Sequence, residues 1–224
     1  MEQFERTELL IGKENLNKLA SKNVIVFGVG GVGGYVCEML VRTGIEKITI
    51  VDFDTVAVSN INRQIIALNS TVGKSKVDVM KARLLDINPN CNVTVVKEKL
   101  LAENILDFKL ENFDYVADCI DMKNSKVALI EYCYNNNINI ISAMGAGNKF
   151  GIPNFVIKDI FKTSYDGLAK VLRRRLKQMG VKHHNVVVCE QQSKDLVPVG
   201  SIVFYPAMCG CLMASKIIND LVNY

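Results

Sequence analysis

Gly28, Gly30 and Gly33 in "VIVFGVGGVGGYV" satisfy G-x-G-x-x-G directly after an apolar run. Glycines so spaced permit a tight turn and let a phosphate approach backbone N–H groups at a helix N-terminus. Downstream, "DFDTVAVSNINRQ" (52–64) gathers acids, asparagines and an arginine in one segment. Asp52 and Asp54 fall where a ribose-binding acid belongs, which suits NAD and ATP equally. Asn60 can hydrogen-bond phosphate oxygens, and Arg63 offers them a planar fork. Lys76, in "GKSK", adds a point charge where a triphosphate would sit. Asp121, in "DCIDM", is an oxygen ligand suited to Mg²⁺. A dehydrogenase has no use for an asparagine–arginine cluster ahead of "GKSK", whereas phosphoryl or nucleotidyl transfer does. Each residue alone reads as an ordinary surface group; together they point to a phosphoryl- or nucleotidyl-transfer site.

The elements that must position these groups alternate between strand and helix. "NVIVFG" (23–28) reads as a buried parallel strand. A helix over 31–43 follows, with Gly44 as its stop. "KITIVD" (47–52), "NVTVV" (92–96), "YVADCI" (115–120) and "INIISAM" (138–144) are further strands. Helices are expected over 9–20, 74–87 and 123–136. In the second of these Val77, Met80, Leu84 and Ile87 share a face, and Pro89 lies just past its end. The pattern predicts an α/β fold: a doubly wound, mostly parallel sheet with a Rossmann-like nucleotide-binding part over 1–150. A C-terminal extension, 151–224, would supply the substrate and dimer part. It shows β-like segments at "NFVIKDI", "NVVVCEQ" and "SIVFYP", a basic helix near 165–179 and a last helix near 207–221. No Gly/Ser linker divides the parts, so 1–224 is expected to be a single domain.

No apolar run approaches the length of a membrane span, and "MEQFERTELL" lacks a signal-peptide core, so a cytoplasmic protein is expected. Seven scattered cysteines do not form a disulfide framework. Cys37, Cys119 and Cys133 lie in apolar segments and read as small core residues. The C-x-C at Cys209 and Cys211 has no second pair, so no structural zinc is expected. The net charge of +4 is uneven: residues 162–182 carry +6, and the remainder −2. Leu168, Val171, Leu172, Leu176 and Met179 should face the core there. Lys170, Arg173, Arg174 and Lys177 then fall on the other side, a docking face for a polyanion. His183 and His184 read as surface residues beside it.

"GVGGVGGY", "DFDTVAVSNINRQ", "VGKSKVDVMKARLLDINP" and "DCID" resemble, in order and spacing, the ATP-dependent adenylating family of the ubiquitin-activating, MoeB and ThiF type. The resemblance implies ATP, Mg²⁺ and attack of a substrate carboxylate on the α-phosphate. By matching position it implies that Gly31 and Asp52 contact the nucleotide, that Asn60, Arg63 and Lys76 hold the phosphates, and that Asp121 holds the metal. It also implies a homodimer in which Arg6 reaches the partner's ATP site. "RTELLIG", "MGAGNK", "DGLAKVLRRRLK" and "PVGSIVFYPAMCGCLMASKIINDL" are similar to one branch, the tRNA threonylcarbamoyladenosine dehydratases. That branch implies cyclisation of N6-threonylcarbamoyladenosine in tRNA through an adenylated carboxylate, with a sulfur-transfer protein partner left open. The competing expectation is adenylation of the C-terminus of a ubiquitin-like sulfur carrier.

Overall fold

A computed structural model describes residues 2–223. Two short helices, α1 (Glu5–Ile11) and α2 (Lys13–Ser21), lead into β1 (Asn23–Phe27), α3 (Gly33–Thr43) and β2 (Lys47–Val51). Then come α4 (Lys76–Ile87), β3 (Asn92–Val96), β4 (Tyr115–Asp118), α5 (Lys123–Asn135) and β5 (Ile140–Ala143). The chain continues through β6 (Phe155–Asp159), α6 (Gly167–Gln178), β7 (Asn185–Cys189) and α7 (Phe204–Val222). The seven strands form one sheet in the order β3-β2-β1-β4-β5-β7-β6. All neighbours are parallel except β6 and β7.

The order reverses direction between β1 and β4, so a crevice opens beyond their C-terminal ends. β1 is apolar from Val24 to Phe27 because helices cover both faces: Val24 and Val26 join one core with α3 and α7, while Ile25 and Phe27 join another with α5. The register Phe27↔Val51 and Phe27↔Asp118 brings the ends of β1, β2 and β4 level, so their loops meet at one edge.

Three expectations are corrected. The helix expected over 9–20 is two helices, because Gly12 breaks the chain at φ +83°. "SIVFYP" is not a strand: Phe204 starts α7, with Pro206 in its first turn. A proline is tolerated there because the first N–H groups of a helix have no intrahelical acceptor. Met179, expected in the core, is 39% exposed just past the end of α6, while Leu172 and Leu176 are buried.

Candidate active site at the strand crossover

The glycine loop owes its shape to close packing. Gly28 adopts φ +86°, and a Cβ there would lie 2.9 Å from the Cys119 carbonyl oxygen. A Cβ on Gly33 would lie 1.7 Å from the Gly28 carbonyl oxygen, so α3 can start this close to β1 only with glycine at that position. Asp52, at the end of β2, ties the loop down. Its Oδ2 accepts from Val29 N–H at 2.7 Å and its Oδ1 from Asp54 N–H at 2.9 Å. Each oxygen retains a further lone pair for a ligand.

A cleft of about 900 Å³ opens above this edge. Gly28, Gly30, Gly31, Asp52, Asp54, Arg63, Lys76 and Asp121 all line it. Lys76, the first residue of α4, is buried and pairs with Asp54 at 2.8 Å. The pair offsets the cost of placing a cation at the positive end of a helix. Arg63 Nη1 donates to Ser59 O at 2.7 Å and to Asn62 Oδ1 at 2.9 Å, which fixes the guanidinium on the wall. The charged lining residues are Asp52, Asp54, Glu98 and Asp121 against Arg63 and Lys76, a net −2. Such a cleft disfavours a bare triphosphate and favours one that carries a divalent cation. Among the described residues no group of three or more His, Cys, Asp or Glu could hold a metal on its own. One carboxylate, with phosphate oxygens and water completing the shell, is the usual Mg²⁺ arrangement, and Asp121 fits it.

Two of the residues expected to bind the nucleotide, Gly33 and Asn60, are not on the cleft wall. Gly33 serves the packing just described. Asn60 is buried, and its Oδ1 accepts from Ala57 N–H at 3.0 Å, closing a turn. Its neighbour Asn62 lines the cleft instead. Arg6 is exposed on α1 and does not line this cleft. On α6, Lys170, Arg174 and Lys177 are exposed and form one strip. Arg173 is half-buried and donates to the Thr163 carbonyl oxygen at 2.7 Å.

Other groups escaped the sequence. Gln64 lines the cleft, and its buried Oε1 has no hydrogen-bond partner among the described residues. Beneath the β4 loop, Lys126 and Asp118 form an ion pair with no exposure on either side. Ser142 donates to Asp118 Oδ2 at 2.6 Å, and His184 Nε2 lies 2.8 Å from Ser142 Oγ. His184 is therefore buried, not on the surface as expected. Burial and the nearby Lys126 charge lower its pKa to about 3, so it is neutral. With the Ser142 proton committed to Asp118, His184 carries its own on Nε2. Cys119, expected in the core, is only partly buried and lines the cleft, where burial pushes its thiol well above the usual value. A thiol so raised is a poor nucleophile at neutral pH.

Fold and cleft together define a nucleotide-binding α/β protein with its ligand crevice at a strand crossover. Residues 4–224 match the ThiF family, and the chain belongs to it. It is similar to the tRNA threonylcarbamoyladenosine dehydratase of Bacillus subtilis, 39% identical over 243 aligned positions covering 100% of this chain and 96% of that protein. It is also 42% identical to the tRNA threonylcarbamoyladenosine dehydratase of Escherichia coli, over 79% of this chain and 66% of the relative. Among solved structures, E. coli TcdA in complex with ATP superposes with a TM-score of 0.93 at 34% identity, covering 99% of this chain and 94% of that one.

Proposed function

We propose that this protein uses ATP to adenylate the threonyl carboxylate of N6-threonylcarbamoyladenosine in tRNA and thereby cyclises it with net loss of water. The observation that carries the reading is the convergence of the glycine loop, Asp52, Arg63, Lys76 and Asp121 on one cleft. The chain-length identity to a dehydratase supports the substrate.

A carboxylate is a poor electrophile because hydroxide or oxide is a poor leaving group. Attack of a carboxylate oxygen on the α-phosphorus forms a new P–O bond and breaks the bond to the β-phosphate, releasing pyrophosphate. A nucleophile already present in the modified base then attacks the acyl carbon and loses its proton. The C–O bond to AMP breaks, and one carboxylate oxygen departs with AMP. No enzyme nucleophile is consumed, which accords with the raised thiol of Cys119.

The Gly28–Gly31 backbone and Asp52 would seat the nucleoside end. Arg63 and Lys76 would hold the phosphates, and the unpaired Gln64 Oε1 would gain a donor from the ligand. Asp121 would hold Mg²⁺, which when bound neutralises phosphate charge. Arg6, which is exposed and does not line its own cleft, is assigned to the partner's cleft in a homodimer. Lys170, Arg174 and Lys177 would contact tRNA phosphates, with Arg173 bracing the helix. A cytoplasmic setting suits a tRNA-modifying enzyme. Among the described residues no helix is long and apolar enough to cross a membrane.

ATP–pyrophosphate exchange tests the reading. Threonylcarbamoylated tRNA should support exchange, while unmodified tRNA and a sulfur-carrier protein should not. Exchange with the carrier protein alone would replace this reading with carrier activation.

A further inference from the structure

Tyr165 is an aromatic residue held in an unfavourable backbone conformation and left open to solvent. Its φ is +61°, and 66% of the residue is exposed. A bulky non-glycine residue at positive φ persists only where its surroundings impose it. The surroundings here are explicit. Asp166, the next residue, caps α6 by accepting from Ala169 N–H through Oδ1 at 2.8 Å. Its Oδ2 accepts from Gly145 N–H at 3.0 Å. Gly145 and Leu168 both line the nucleotide cleft. Asp166 is itself buried, so the turn that presents Tyr165 is pinned to the cleft wall on one side and to α6 on the other.

Tyr165 therefore adjoins, through Asp166, both the cleft wall at Gly145 and the N-terminus of α6. On one side is the cleft, where a carboxylate must meet the α-phosphate. On the other begins the strip of exposed cations Lys170, Arg174 and Lys177, one helical turn apart. An RNA strand whose phosphates follow that strip would bring a base to the mouth of the cleft. Single-stranded RNA is bound by splayed bases stacking on aromatic rings beside a cationic track.

We propose that Tyr165 is a base-stacking residue that receives an unstacked purine of the substrate RNA and holds it at the cleft mouth. The proposal rests on the tRNA reading above and adds to it the residue that orients the base. The ring does not touch the reacting atoms, so Tyr165 is a positioning residue. Glycine relieves the positive φ while removing the ring, so Tyr165→Gly separates a folding role from a binding role.

The test compares wild type, Tyr165→Phe and Tyr165→Gly for binding to threonylcarbamoylated anticodon stem-loop RNA across a salt series, and for turnover. Tyr165→Gly should keep its thermal midpoint and its ATP affinity. Its RNA affinity should fall by roughly 5- to 150-fold, the range for loss of one stacked base. The slope of log affinity against log salt should not change, because no phosphate contact is lost. Tyr165→Phe should retain near wild-type affinity. If Tyr165→Gly binds and turns over the RNA like wild type, or if Tyr165→Phe is as impaired as Tyr165→Gly, the stacking role is wrong. Wild type that neither binds nor cyclises the RNA would instead sink the tRNA reading itself.

Discussion

Lys126 Nζ lies 2.7 Å from Asp118 Oδ2, and neither side chain is exposed. The same ammonium reaches the Asp118 carbonyl oxygen at 3.3 Å, while Asp118 Oδ1 accepts from Ile120 N–H at 3.2 Å. A buried pair of this kind is not a large net source of stability, but losing one member strands the other charge. Lys126→Met should lower unfolding free energy by about 3–5 kcal/mol. Urea denaturation of the variant checks this. The double variant Lys126→Met with Asp118→Leu should recover part of the loss, because no lone charge then remains buried.

The neutral, buried His184 makes stability depend on pH. Its folded pKa, about 3, lies below the unfolded value of 6.5. Between those values the unfolded chain binds a proton that the folded chain refuses. The contribution is therefore complete above pH 6.5 and is lost as pH falls toward 3. By pH 5 the loss should be about 2 kcal/mol. His184→Gln should flatten the dependence over that window, measured by denaturation at fixed pH values. An unaltered profile would show that another group dominates.

Arg63 and Lys76 both line the cleft, and Lys76 is buried against Asp54. Arg63→Ala and Lys76→Ala should each weaken MgATP binding, by about 1.5–3 kcal/mol for a charged hydrogen bond lost. The net −2 of the cleft lining also predicts that ATP without Mg²⁺ binds less well. Asp121→Asn should narrow that difference while leaving the fold intact. Calorimetry with and without Mg²⁺ reads all three effects, and NAD binding as tight as MgATP would overturn the nucleotide assignment.

The exposed strip on α6 should govern the salt dependence of RNA binding. Charge reversal at Lys170, Arg174 and Lys177 should weaken tRNA binding and spare ATP binding. Each lost phosphate contact should reduce the log–log salt slope by about 0.7 to 0.9. Arg173→Ala should act differently, through stability, because its guanidinium braces Thr163. Filter binding at several salt concentrations, beside thermal melts, distinguishes the two behaviours.

The sheet was legible because strands covered on both faces read as apolar runs, unbroken in "VIVF" and interrupted only by Thr49 in "ITIV". The cleft was legible because glycine, acid and arginine follow those runs at strand ends. What stayed hidden depends on tertiary partners. Lys126 looks like a surface lysine near the start of α5, and only the facing Asp118 makes it a core residue. His184 looks like half of an exposed pair until Ser142, 42 residues away, supplies its partner. Asn60 and Asn62 are indistinguishable in "SNINR"; the turn places one inward and the other on the cleft. "FYP" carries strand-forming aromatics, yet it opens α7, with Tyr205 buried against Phe155 of β6 and Phe204 left exposed.

The proposed reaction is dehydration of a tRNA nucleoside through an adenylated carboxylate. Nucleoside mass spectrometry of threonylcarbamoylated tRNA, incubated with the protein and MgATP, tests it most directly. Conversion to a nucleoside lighter by one water is expected, with AMP and pyrophosphate formed in equal amounts. Persistence of the unchanged nucleoside, while a sulfur-carrier protein offered in the same reaction becomes adenylated, would contradict it.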